Sequence, residues 1–226
     1  MMRTTFACAA AAGALLAASS ASAQDGPQVA WNVGVVSDYV FRGFSQTDED
    51  PALQAGVDLT AGSFYAGAWA SNVDFGDETD AEVDFYGGYR TEAAGFALDV
   101  GAVVYIYPSA PAVSDYDYVE LKAAASRAIG PVTAGAVVFW SPNFFGVDDE
   151  ATYVEGNIAY TPADRWTLTA AVGHQALDVN DDYTTWNVGV AYALTDYLAV
   201  DARFHDTDVD GPLSDDRVTV GLKATF

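Results

Sequence analysis

Apolar and polar residues take turns along most of this chain. In its last segment Val218, Val220, Leu222, Ala224 and Phe226 fall on one side, and Arg217, Thr219, Gly221, Lys223 and Thr225 on the other. That is the period-two pattern of a β-strand lying between two different environments. The same split sets Leu53, Ala55, Val57 and Leu59 against Gln54, Gly56, Asp58 and Thr60. It returns as Trp166, Leu168, Ala170 and Val172 against Arg165, Thr167, Thr169 and Ala171, and as Trp186, Val188, Val190 and Tyr192 against Thr185, Asn187, Gly189 and Ala191. Twelve such segments can be marked, beginning near Ala30, Pro51, Phe64, Ala81, Phe96, Tyr116, Val132, Ala151, Arg165, Tyr183, Tyr197 and Arg217. Each is about 9 to 13 residues long, the length of a tilted strand that crosses a bilayer. The third and seventh are apolar on both faces, so the pattern leaves their orientation open.

The connections alternate in kind. Short turns fall at 61–63, 92–95, 130–131, 162–164 and 195–196, and longer acidic links at 44–50, 74–80, 108–115, 142–150, 176–182 and 206–216. This alternation predicts an all-β fold: an antiparallel up-and-down transmembrane β-barrel of about 12 strands, with short periplasmic turns and longer acidic extracellular loops. A soluble sandwich would have no reason for such asymmetry. Aromatics on the apolar faces gather at segment ends. Trp31, Tyr89, Phe96, Tyr160, Trp166, Tyr192, Tyr197 and Phe226 lie toward the short turns, and Phe41, Phe85, Phe204 and Trp186 toward the long links. Two such belts match the two interfaces of a membrane.

The start of the chain reads differently. Arg3, an apolar run from Phe6 to Ala18, and Ala21-Ser22-Ala23 form a secretory signal with its cleavage site, giving a signal peptide over 1–23 and a barrel over 24–226. Cys8, the single cysteine, would leave with it. An exported domain without disulfides needs another staple, and a closed hydrogen-bonded sheet supplies one. No later stretch approaches the roughly 18 to 20 apolar residues of a spanning helix.

A formal net charge of −23 excludes nucleic acid and anionic partners. Yet 51% of residues are hydrophobic and 13% aromatic, so acid and apolar surface must be kept apart in space. Most of the acids sit in the long links, for instance Asp48-Glu49-Asp50, Asp148-Asp149-Glu150 and Asp206, Asp208 and Asp210.

One stretch carries a specific resemblance. Ser37-Asp38-Tyr39-Val40-Phe41-Arg42-Gly43-Phe44-Ser45-Gln46-Thr47, then Pro51-Ala52-Leu53-Gln54-Ala55-Gly56 and Phe64-Tyr65-Ala66-Gly67-Ala68-Trp69-Ala70-Ser71-Asn72-Val73-Asp74, resembles the TorF-type porins of proteobacteria. The resemblance covers the first three strands, and implies an outer-membrane barrel whose solute is undefined. The terminal Phe226, with apolar residues at every second position before it, resembles the sorting signal that the barrel-assembly machinery reads.

If the apolar face meets lipid, the other lines a lumen. By alternation that lining holds Asp38, Asp58, Glu82, Asp84, Asp99, Glu120, Glu155 and Asp201 together with Arg42, Arg90, Lys122, Arg165, Arg203, Arg217 and Lys223, while Arg127 falls outside. Near-equal numbers of acids and bases predict an ion-paired lumen beneath an acidic mouth. The expected function is an outer-membrane porin or channel for small solutes, cation-preferring because the mouth concentrates cations. The alternatives are a non-conducting barrel acting as a surface structural protein or receptor, and an outer-membrane hydrolase. For the hydrolase only His174 and His205 are on offer, with no serine at a persuasive spacing. No enzyme activity, cofactor or resident metal is expected. The expected location is the outer membrane. The partners are its lipid and lipopolysaccharide, the assembly machinery through Phe226, divalent cations at the acidic loops, and a second copy of the chain.

Overall fold

The computed structural model describes residues 26–226, so the expected signal peptide lies outside the described residues. From the first end the chain runs through β1 (Gln28–Val36), the two short strands β2 (Val40–Phe41) and β3 (Phe44–Ser45), β4 (Ala52–Ala61), β5 (Phe64–Asn72), β6 (Ala81–Ala93) and β7 (Phe96–Ile106). It continues through β8 (Tyr118–Ile129), β9 (Val132–Ser141), β10 (Ala151–Ala163), β11 (Trp166–Leu177), β12 (Tyr183–Ala193), β13 (Leu198–Thr207) and β14 (Arg217–Thr225). All but β2 and β3 form one closed barrel in which each strand pairs antiparallel with its sequence neighbour. The seam joins β1 to β14, with Asn32 opposite Thr225 and Val36 opposite Gly221. Closure leaves no sheet edge with unpaired backbone groups.

The barrel is inside-out by the standard of a soluble protein. Its outer surface carries the apolar half of each alternating strand, with Leu53 at 65% and Val218 at 66% exposure. The buried side chains are largely polar: Glu82, Asp99, Glu120, Ser141, Glu155 and Gln175 all point inward. The two strands left open by the sequence pattern also resolve. Trp69 and Ser71 of β5 and Val137 and Ser141 of β9 face inward, while Phe64 and Trp140 join the outer aromatic surface. Phe64 meets Tyr89 edge to face, with ring centroids 5.2 Å apart, and Trp166 meets Tyr192 at 4.6 Å, both near the short turns.

Two expectations need correction. The first segment does not run on through Phe41 as a wall strand. β1 stops at Val36, and residues 37–51 turn into the barrel as the hairpin β2–β3. Phe41 is therefore not an outer-belt aromatic: its ring lies inside, 6.1 Å from that of Tyr105. Arg165 does not line a strand either, since β10 ends at Ala163 and β11 starts at Trp166. It sits in an exposed short turn and donates to the Leu194 carbonyl at 3.3 Å.

Candidate functional site

The hairpin dominates the interior. At its tip Arg42 and Gly43 both have positive φ, 46° and 92°, the signature of the two-residue turn whose twist suits a β-hairpin. A side chain at Gly43 would meet Thr185 Oγ1 at 2.9 Å and Thr207 Cβ at 3.1 Å, so the tip presses against the β12–β13 wall. From that wall Arg42 reaches the other way. Its Nη1 and Nη2 donate to the two carboxylate oxygens of Glu120 on β8, at 2.7 and 2.8 Å, and Nη1 also donates to Gln175 Oε1 on β11 at 3.0 Å. The guanidinium carbon lies 4.2 Å from the Tyr153 ring centroid, 4.7 Å from Phe41 and 5.1 Å from Phe139. Arg42 is 5% exposed and Glu120 1%. A residue with a side chain in the left-handed region costs about 1–2 kcal/mol. A bidentate buried pair, with Tyr105 donating a further hydrogen bond to Glu120 at 2.9 Å, offsets that strain.

The base of the hairpin is tied on both sides. Asp38 accepts from Ser45 Oγ at 2.7 Å and from Arg217 Nη1 at 2.9 Å. Backbone N–H groups of Ser45 and Asp74 donate to the Leu213 and Gln46 carbonyls, both at 2.8 Å. Beside it, Tyr39, Tyr105, Tyr107 and Tyr118 pack with Trp69, Phe75, Tyr116, Phe144 and Phe145 into an aromatic cluster at the long-loop end. Burial and a hydrogen bond to Asp77 raise the Tyr116 hydroxyl above its ordinary pKa.

Toward the short turns the charges pair differently. Asp99 on β7 accepts from Lys122 Nζ at 2.8 Å, from Arg90 Nε at 3.2 Å and from the Tyr65 hydroxyl at 2.7 Å. Arg90 also lies 3.9 Å above the Tyr65 ring. Arg203 on β13 donates to Asn187 Oδ1 at 2.6 Å, Thr169 Oγ1 at 3.0 Å and Asp201 at 3.3 Å. Its guanidinium can lie there because the neighbouring wall position is Gly189, whose Cβ would come within 2.7 Å of it.

Among the described residues, several acids of the lining are held by neutral donors rather than by a base. Asp58 accepts from the Tyr86 hydroxyl at 2.7 Å, and Glu155 from Tyr153 at 2.9 Å and Asn157 at 3.1 Å. Glu82 accepts from Tyr39 at 3.2 Å, and Asp84 Oδ1 is buried with no hydrogen-bond partner. Lys223 lies opposite Gly34 and Ala199 on the neighbouring strands. Arg127 sits 5.3 Å above the outer ring Phe96. His174 stands exposed near Thr184 and Asp182 on the outer face, whereas His205 is buried against Thr219 at 3.2 Å. Sequence reasoning missed Gln175 and the lining tyrosines Tyr65, Tyr105 and Tyr153, although all share the inward parity of their strands. Among the described residues no group of three or more His, Cys, Asp or Glu is gathered to hold a metal ion.

A closed antiparallel barrel with an apolar exterior, a hydrogen-bonded polar interior and a loop folded into its bore is porin-like. The chain belongs to the family described as bacterial protein of unknown function (Gcw_chp), which it matches over residues 20–226. No protein with a curated description matches it. Among solved structures, it is similar to the KdgM porin, with a TM-score of 0.61 at 9% identity over 88% of this chain and 98% of that one. The same figures hold for the KdgM porin in complex with disordered oligogalacturonate. It is also similar to the COG4313 outer membrane channel from Pseudomonas putida F1, with a TM-score of 0.56 at 12% identity over 88% and 95% of the two chains. At such identities the likeness is one of fold.

Proposed function

We propose that this protein is an outer-membrane channel for small solutes, exported behind the basic and apolar segment at 1–23, and that the residue 37–51 hairpin narrows its bore. The observation that carries this reading is the hairpin itself: an element of the first long link held inside a closed barrel by the Arg42–Glu120 pair. The fold shared with porins and channels supports it, as does the resemblance of the first three strands to TorF-type porins. The apolar exterior with aromatic rings near the short turns supports a membrane setting, with outer-membrane lipid and lipopolysaccharide around the barrel and Phe226 offered to the assembly machinery.

Cation preference follows from charge. The long links carry most of the acids, and Asp58, Glu82, Asp84 and Glu155 add carboxylates to the lining for which no ion pair is formed among the described residues. Such a field concentrates cations and repels anions. Reconstitution of the folded chain in planar bilayers under a KCl gradient tests this. Small steps with a cation-selective reversal potential are expected; anion selectivity would overturn the preference. The burial of the hairpin favours a second reading, a non-conducting barrel that displays its loops, and complete electrical silence would select it.

A further inference from the structure

We propose that Glu82 and Asp84 on β6, together with Trp69, Tyr105 and Tyr39, form a binding site for the ammonium group of a small organic cation. This inference rests on the channel reading and names the solute class it would serve.

The site follows from register. Glu82 and Asp84 stand two residues apart on β6 and so face inward together, and both are buried, at 2% and 9% exposure. Asp84 is paired directly with Trp69 on β5 and with Tyr105 on β7. Directly opposed side chains on one face of a sheet touch, so the carboxylate is flanked by an aromatic ring on each side. Tyr39, from the base of the hairpin, closes the third side. Its ring meets Trp69 edge to face at 5.4 Å, and its hydroxyl donates to Glu82 at 3.2 Å. Among the described residues nothing donates to Asp84 Oδ1, which is shielded from solvent. Among the described residues no Lys, Arg or His pairs with either carboxylate.

A buried carboxylate oxygen without a donor is costly, and a cation that loses little hydration is a partner that relieves it. The surrounding chemistry narrows the kind of cation. A hard divalent ion wants six or more oxygens, and beyond the two carboxylates these walls offer only the Tyr39 and Tyr105 hydroxyls, which already donate to Glu82 and Glu120. An alkylammonium group can instead place its charge on the carboxylates and its carbons against the ring faces. The same protein already shows this arrangement with a cation in it: Arg42 sits on Glu120 among Phe41, Phe139 and Tyr153. Tyr105 links the two, since it donates to Glu120 and neighbours Asp84 in register.

Choline chloride, titrated into the folded full-length chain in detergent micelles and read by calorimetry and tryptophan fluorescence, tests the site apart from conduction. NaCl at equal ionic strength is the reference. Saturable choline binding that NaCl does not reproduce is expected, with affinity about tenfold or more weaker in Asp84→Asn and its fluorescence signal lost in Trp69→Phe. Asp164→Asn, in an exposed short turn outside the lining, should leave it unaltered. Heat-dependent gel mobility confirms that each variant is folded. Should Asp84→Asn fail to fold, loss of calorimetric affinity in Trp69→Phe carries the same test. An equal response to NaCl overturns the proposal, and so does unchanged choline affinity in folded Asp84→Asn, which would mean that the two carboxylates merely share a proton. Conduction in bilayers without any choline binding removes the site and leaves the channel. Choline binding by a barrel that passes no current supports the site and removes the channel.

Discussion

The two halves of the barrel interior use the same residue types to opposite ends. Near the long links Arg42 is buried with Glu120 under aromatic cover, and their side-chain exposures are only 3% and 2%. Near the short turns Asp99 is shared by two bases, and the Arg90 side chain is 48% exposed. Burial makes the first arrangement strict, because either partner left alone would be an uncompensated charge in a low dielectric. Water and a spare base make the second forgiving. The upper interior therefore behaves as a seat for one piece of chain, and the lower as a charged lining that can be retuned.

The comparison can be broken most sharply at Glu120. Glu120→Ala strands Arg42 in a buried site, and removing one partner of such a pair costs about 3–5 kcal/mol. The hairpin is expected to leave its seat, so that limited proteolysis cuts within residues 37–51 and single-channel conductance rises several-fold while the wall strands stay folded. An unchanged conductance with a resistant hairpin would show that other contacts hold it. A smaller effect is expected at Arg203→Ala, which removes hydrogen bonds to Asn187, Thr169 and the partly wet Asp201. About 1–2 kcal/mol in urea-unfolding stability is expected to be lost, together with a shift of reversal potential toward stronger cation selectivity. The smallest change is expected at Arg90→Gln, because Lys122 remains on Asp99 at 2.8 Å. Stability should move by less than about 1 kcal/mol, and selectivity only slightly. A large loss there would erase the distinction between the two halves.

Much of this architecture could be read from the chain. Alternation gave the wall strands and their outward faces wherever the two faces differ in polarity, as in β14. It could not orient β5 or β9, because Trp69 and Val137 look as apolar as their neighbours although they point inward. The hairpin was hidden for a related reason: Asp38 and Arg42 keep the parity of β1, so residues 37–42 read as more of the same strand. The signal present was the Arg42-Gly43 pair between Phe41 and Phe44, a two-residue turn with glycine in second place. Which acids would find bases was not legible at all. Arg42 meets Glu120 across 78 residues of sequence, and Asp38 meets Arg217 across 179. Those pairings depend on closure, which no local pattern encodes.

The reach of the hairpin also sets a timetable. Gln175, Thr185, Thr207 and Arg217, against which it rests, belong to the last four strands, and the bond from Arg42 to Gln175 alone spans 133 residues. Contacts so distant along the sequence form late, because the intervening loop must close first. A piece of chain made early therefore cannot take its final seat until the strands that receive it are in place.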